Sequence, residues 1–254
     1  MRLDELQGRR FVVCGASRGL GRATAEELIS HGASVLVVSR NPDAAVAQLG
    51  PTATGIAADL ASAEAADRID SAVNDVFGGH LDGVLVNSGG PPAGRALEYT
   101  DAEWSGAFEL LLAGPIRLLR LLAPLMSAGS VVFITSSSVR QPIEGLDSSN
   151  VLRPAVAALV KVLARELAPT VRVNSLAPGR FDTDRVRELD AGRAQALDIT
   201  PQIARERAEA AIPLGRYGEP VELARVAAFL LSSASSYVNG SALQVDGGSV
   251  TAVP

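Results

Sequence analysis

The sequence predicts an α/β fold in which helices cover both faces of a mostly parallel sheet. Three observations lead there. Seven short apolar runs alternate with helix-like segments along the chain, the pattern of strands joined by right-handed crossovers. Between the first run and the first helix lies G-A-S-R-G-L-G at 15–21, a turn tight enough to need glycine. A length of 254 residues suits one large domain with a sizeable core.

The elements follow in order. Phe11, Val12 and Val13 form the first strand, and a helix from Arg22 runs to about His31. Residues 34–39 give the second strand, and a helix after Pro42 leads to a third strand over 54–58. A helix over 63–77 precedes the fourth strand, 81–86. A long helix starts near Asp101, followed by a strand at 130–135, a helix ending near Ala168 and a strand at 171–176. A helix after Pro220 and a strand at 242–245 complete the alternation. Ligands of such sheets bind beyond the carboxyl ends of the strands. Residues 182–212 are charged and helix-prone, and read either as a lid over that cleft or as a solvated surface insertion. No internal repeat, low-complexity tract or linker interrupts the chain, so 1–254 is expected to be a single domain carrying a substrate lid at about 182–212.

Composition excludes several classes. A net charge of −5 and a pI near 5.2 argue against a nucleic-acid partner, whose binding surface needs clustered Lys and Arg. The opening Met1-Arg-Leu-Asp-Glu-Leu lacks the apolar centre of a signal peptide. The most apolar stretch, 110–126, is too short to span a membrane comfortably and carries Arg117, Arg120, Pro115 and Pro124, so it reads as a buried helix. The single cysteine, Cys14, forms no intramolecular disulfide and fits a reducing, cytoplasmic setting. At the end of the first strand it is expected to be a small core residue. His31 and His80 show no metal-ligand spacing.

The first half of the chain carries the pattern of a dinucleotide site. A strand turning tightly into a helix leaves amide N–H groups unpaired at the positive end of the helix dipole, which suits a pyrophosphate. Gly15, Ser17, Arg18, Gly19, Leu20 and Gly21 supply that turn. Ser39 and Arg40 end the second strand, where an acid would take the ribose hydroxyls of NAD and an arginine grips the extra phosphate of NADP. No acid is present, and Arg18 adds a second positive charge, so NADP(H) is favoured over NAD(H). The alternative is that both arginines are solvated surface charges. Asp59 and Leu60 follow the third strand; Asp59 either accepts from the adenine amino group or caps the next helix. Asn87-Ser-Gly89-Gly follows the fourth strand, as a close approach to the cofactor or as a plain turn.

Nearly the whole chain resembles the short-chain dehydrogenase/reductase family. The matching motifs are G-A-S-R-G-L-G at 15–21, D-L at 59–60, N-S-G-G at 87–90, I-T-S at 134–136 and L-A-R-E-L-A at 163–168. R-V-N-S-L-A-P-G at 172–179, I-P-L-G-R-Y-G-E-P at 212–220 and V-D-G-G at 245–248 complete them. The nearest subgroup is the classical one, which includes many 3-oxoacyl-carrier-protein reductases. The resemblance implies a doubly wound Rossmann fold with a seven-stranded sheet, cofactor contacts from Pro178, Gly179 and Thr183, and a homotetramer or homodimer. It also implies a serine, a tyrosine, a lysine four residues on, and a helix asparagine at the reacting centre.

Only the serine, Ser136, is present. Ser149 stands at the tyrosine position, Arg153 at the lysine position and Leu111 at the asparagine position. An alkyl hydroxyl is a poor general acid. Arg153 stays charged and relays no proton, yet can bind the ribose and stabilise a developing alkoxide. Pro115 has no N–H for the Leu111 carbonyl, so the main-chain anchor for the family's relay water survives, unless Pro115 only kinks a packed helix. Tyr99, Tyr217 and Tyr237 are expected in packing or surface roles. Glu144 or Asp147, if buried and protonated, would replace the missing acid, although acids mostly face solvent. Two functions fit. One is an NADP(H)-dependent oxidoreductase for a small carbonyl or alcohol substrate, with Ser136, Ser149 and Arg153 as an atypical catalytic set. The other is a cofactor-binding protein without turnover, serving as a sensor or structural subunit. Chemistry on an anionic substrate bound by Arg153 and the serines 136–138 is a third possibility.

Overall fold

The computed structural model describes residues 4–252. Its seven strands are β1 (Arg10–Cys14), β2 (Ser34–Ser39), β3 (Ala53–Ala57), β4 (Gly83–Val86), β5 (Gly129–Ile134), β6 (Val171–Pro178) and β7 (Ala242–Val245). All neighbouring pairs are parallel, in the order β3-β2-β1-β4-β5-β6-β7. Val12 lies between Leu36 and Val84, so β1 sits where the crossovers change direction. The crevice at that switch point is where such sheets take ligands. β4 and β5 are buried along their whole length, and their unbroken apolar sequences reflect a sheet covered on both faces.

The covering helices form two cores. On one face lie α3 (Ala65–Phe77), α4 (Asp101–Phe108), α5 (Gly114–Leu122) and α6 (Asp147–Glu166). On the other are α1 (Gly19–Ser30), α2 (Asp43–Leu49) and α9 (Pro220–Leu231). The charged stretch after β6 forms α7 (Asp184–Ala196) and α8 (Pro201–Ala210). Thr183 and Thr200 cap them by accepting from the Val186 and Ile203 amides. No helix among the described residues is long and apolar enough to cross a membrane.

The helix expected from Asp101 onward is not continuous. A capping box of Thr100 and Glu103 starts α4, but residues Glu109–Ala113 form a π-helical turn before α5. Pro115 offers no N–H, and the Gly114 N–H reaches back to the Glu109 carbonyl. Gly114 also lets this helix touch the loop after β3, because a Cβ there would meet the Leu60 carbonyl oxygen at 2.0 Å. β3 begins one residue before the expected run, and β4 two residues after it, the usual uncertainty of element ends.

Candidate active site

A cleft of about 1210 Å³ opens beyond the carboxyl ends of the strands, larger than the ~1,000 Å³ upper range for one small ligand. Seventeen of the residues expected at a site line it: Gly15, Ser17, Arg18, Gly19, Leu20, Ser39, Arg40, Asp59, Leu60, Asn87, Gly89, Ser136, Ser149, Arg153, Pro178, Gly179 and Thr183. Gly21 does not. It packs beneath the turn, where a Cβ would stand 2.4 Å from the Gly15 carbonyl oxygen, so its place is structural rather than in the cleft. Gly21→Ala is expected to force the turn apart and to destabilise the fold by about 1–3 kcal/mol, read as a lowered midpoint in denaturant unfolding; an unchanged midpoint would contradict this packing role.

The glycine turn is held in left-handed backbone by Gly15 (φ 62°) and Gly19 (φ 60°). Asn87 Nδ2 donates to the Gly15 carbonyl at 3.3 Å, joining the ends of β1 and β4. α1 has no side-chain cap and no acid in its first turn, so its leading amides have no side-chain partner and remain open to an anion. Arg40 is exposed at the end of β2. The Ser39 hydroxyl beside it is buried and has no hydrogen-bond partner. Arg18 is not a second free cation: it reaches Asp184 at 3.7 Å and Glu188 at 3.5 Å on α7. Asp59 accepts from the Ala61 amide at 3.1 Å, while Glu64 is the cap position of α3, so Asp59 does not cap that helix.

At the other end of the cleft, the first turns of α6 carry Ser149 and Arg153 one turn apart on the buried face. The Ser149 and Ser138 hydroxyls lie 3.4 Å apart, and Ser136 accepts from the Ser138 amide at 3.1 Å. Ser138, two residues after Ser136 in I-T-S-S-S, is the member of the serine run that meets Ser149. Arg153 is 6% exposed and holds the loop after β4 to the end of β5. Its Nη1 donates to the Ile134 carbonyl at 2.6 Å, its Nη2 donates to the Gly89 carbonyl, and its Nε is buried with no partner. Burial pushes the guanidinium down from its ordinary value to about 10, which leaves it charged at neutral pH.

The expected substitute acids are elsewhere. Glu144 and Arg140 are exposed. Asp147 accepts from the Ala96 amide at 3.0 Å and from Asn150 Nδ2 at 3.2 Å, stapling the loop before α4 to the start of α6. Tyr99 donates to the Pro92 carbonyl at 2.8 Å and packs edge-on to Trp104. Tyr237 is fully exposed. Tyr217 is no surface contact: it is buried, donates to Asp190 at 2.8 Å and lies under the Arg205 guanidinium. Cys14 is buried, and burial pushes its thiol up to about 12, as a core residue requires. Leu111 is buried in the core, while Leu110 faces the cleft.

The sequence family described as Enoyl-(Acyl carrier protein) reductase matches residues 15–250. The chain is 32% identical over 260 residues to human dehydrogenase/reductase SDR family member 4, covering 97% of this chain and 89% of that protein. It is 32% identical over 252 residues to the 3-oxoacyl-[acyl-carrier-protein] reductase of Vibrio cholerae, covering 96% and 98%. The fold superimposes on L-sorbose reductase from Gluconobacter frateurii, solved with NADPH and L-sorbose, with a TM-score of 0.93, 28% identity and full coverage of both chains. With its Rossmann-type sheet and these relatives, the chain belongs to the short-chain dehydrogenase/reductase family of oxidoreductases.

Proposed function

We propose that the protein is an NADP(H)-dependent oxidoreductase that interconverts a carbonyl and an alcohol with an atypical catalytic set. The observation that carries this is the pairing, in one cleft, of uncapped helix amides and Arg40 with the buried Ser149 and Arg153, Ser149 being backed by the Ser138 hydroxyl. The residues fit a nicotinamide dinucleotide. The first turn of α1 is free for the pyrophosphate, Ser39 keeps a buried hydroxyl without a partner, and Arg40 has no acidic neighbour in ion-pair contact among the described residues. An NADPH-complexed structural relative supports the choice of NADP(H). When bound, the cofactor supplies or takes the hydride.

The chain's own residues do the rest. Ser136 orients the substrate oxygen, and the Arg153 charge stabilises negative charge developing on it. Because two arms of Arg153 already hold main-chain carbonyls, its remaining N–H groups make these contacts. Ser149 and Ser138 form a hydroxyl pair able to pass a proton inward from water. Loss of a positioned general acid costs ~10²–10⁴ in rate, so slow turnover is expected. The pair α7–α8 acts as the lid of a single-domain enzyme working in the cytoplasm. A second reading, binding without turnover, draws on the same replacement of phenol and amine by Ser149 and Arg153.

The deciding experiment follows NADPH consumption across ketones, quinones and 3-oxoacyl thioesters while Trp104 fluorescence reports binding. Consumption with at least one class supports the enzyme; fluorescence change with no consumption supports the sensor or structural subunit. Arg40→Asp is expected to weaken NADPH by ~10-fold or more, from the 1.5–3 kcal/mol of a charge-assisted bond, and to spare NADH. Unchanged selectivity between the two would refute the Arg40 assignment. A homodimer or homotetramer is proposed through the exposed apolar residues of α4 to α6, Phe108, Ile116, Val151 and Val162, to be read as molar mass by light scattering.

A further inference from the structure

We infer that the substrate is an apolar carbonyl compound or alcohol with an anionic end group, and that Arg193 and Arg207 grip that group; this rests on the proposed reading of the cleft as an oxidoreductase site. The two helices after β6 turn one face each into the cleft. The α7 residues that line the cleft are Arg185, Val186, Glu188, Leu189 and Arg193, continued by Leu197, and those of α8 are Ala204, Arg207 and Ala208, continued by Ala211. Steps of three and four residues define one side of a helix. Apart from Arg185 and Glu188, which are paired with each other, each inward face is apolar except for one arginine.

Both arginines lie in the last turn of their helix, where positive charge suits the dipole. That accounts for a basic residue at the helix end, but not for its place on the cleft side. Their neighbours behave differently. Arg180, Arg185, Arg187 and Arg205 all pair with acids, while Arg193 and Arg207 have no ion pair among the described residues. Most of the local carboxylates are already engaged: Asp182 by Arg187 and Arg205, Asp190 by Arg180, Glu209 by Arg205, and Asp184 and Glu188 by Arg18. Glu206 accepts from Gln202, and neither it nor Asp198 pairs with Arg193 or Arg207 among the described residues.

The inward faces are fixed rather than loose. Asp190 on α7 is held by Arg180 after β6 and by Tyr217 before α9, and Arg205 on α8 is tied to Asp182. Ile143, Leu146 and Val250 add further apolar lining to the cleft. A ligand filling this half of the cleft meets apolar side chains together with the unpaired guanidinium groups of Arg193 and Arg207. Planar guanidinium groups bind carboxylates and phosphates through paired N–H donors, so the end group is one of these two anions.

Calorimetric titration tests this without depending on turnover. Octanoate, octyl phosphate and 1-octanol are titrated into the NADPH-loaded protein and into the protein alone. At least one anion is expected to bind ~10-fold or more tightly than the alcohol, and the tighter of the two identifies the source of the charge. Arg193→Gln and Arg207→Gln are each expected to weaken that anion ~10-fold and to leave 1-octanol unchanged; both sites are exposed, so melting curves should match the parent. Equal binding of anions and alcohol overturns the inference, as does anion binding untouched by both substitutions. Anion binding of the expected pattern, in a protein that consumes no NADPH with any carbonyl, upholds the site and removes the oxidoreductase reading instead.

Discussion

Arg153→Ala should lower NADPH consumption by at least ~10², while Ser149→Ala, losing only one member of a hydroxyl pair, should keep most of it. The size follows from two separate tasks of one side chain. Arg153 brings a charge to the cleft end, and it holds the loop after β4 to the end of β5 through Gly89 and Ile134. Alanine removes both and leaves two carbonyls without their donor, at about 2–4 kcal/mol of stability. Arg153→Met separates the tasks. It fills the space and relieves a buried charge with no acid beside it, so stability returns toward the parent while consumption stays low. Equal activity losses in Ser149→Ala and Arg153→Ala would contradict the oxyanion role. The pH dependence gives a further readout. Burial lowers the guanidinium from its ordinary value to about 10, so below pH 10 it is charged in both states and its burial costs stability. That cost fades as pH rises above about 10 toward the ordinary arginine value, whereas the rate should fall through about 10 as the charge is lost.

What the sequence disclosed, and what it hid, divides along backbone and side chain. The strand–turn–helix at 15–21 was legible because left-handed glycines and an uncapped helix start are written in residue types. Arg40 has no ion-pair partner among the described residues at the end of β2, in keeping with the lack of an acid beside it in the sequence. Arg18 was misjudged as a free charge, because its partners Asp184 and Glu188 lie more than 160 residues away along the chain and no local pattern announces them. Asp147 and Tyr217 were hidden for the same reason. Whether a carboxylate faces a cleft or staples a loop depends on the Ala96 amide, and whether a tyrosine is buried depends on Asp190. The broken helix at Glu109–Ala113 lay between these cases: Pro115 signalled a missing N–H, but the shift to a π-helical turn also needed Gly114 against Leu60.

The second large effect is expected from Asp190→Ala. This carboxylate is 5% exposed and accepts from Arg180 at 2.5 Å and from the Tyr217 hydroxyl at 2.8 Å. Removing one partner of a buried pair leaves a charge and a hydroxyl unmatched, which costs about 3–5 kcal/mol, a sizeable part of the ~5–15 kcal/mol that holds a domain together. The damage should be local first, since Asp190 is what ties α7 to the loops after β6 and before α9. Amide exchange in α7 should therefore quicken well before β1 or β4 is affected. Tyr217→Phe removes only one hydrogen bond, at about 1 kcal/mol. In a double-mutant cycle it should cost almost nothing once Asp190 is alanine. The phenol adds a pH signature: burial and the bond to Asp190 raise it from 10.0 to about 12. A raised acid stabilises the fold fully below its unfolded value, so this contribution is present at neutral pH and is lost as pH climbs between about 10 and 12. Tyr217→Phe should flatten that part of the stability curve. If α7 kept its exchange protection in Asp190→Ala, the helix would have to be held by its other contacts, through Arg18, Arg185 and Arg187, and the fixed inward face on which Arg193 and Arg207 depend would have another origin.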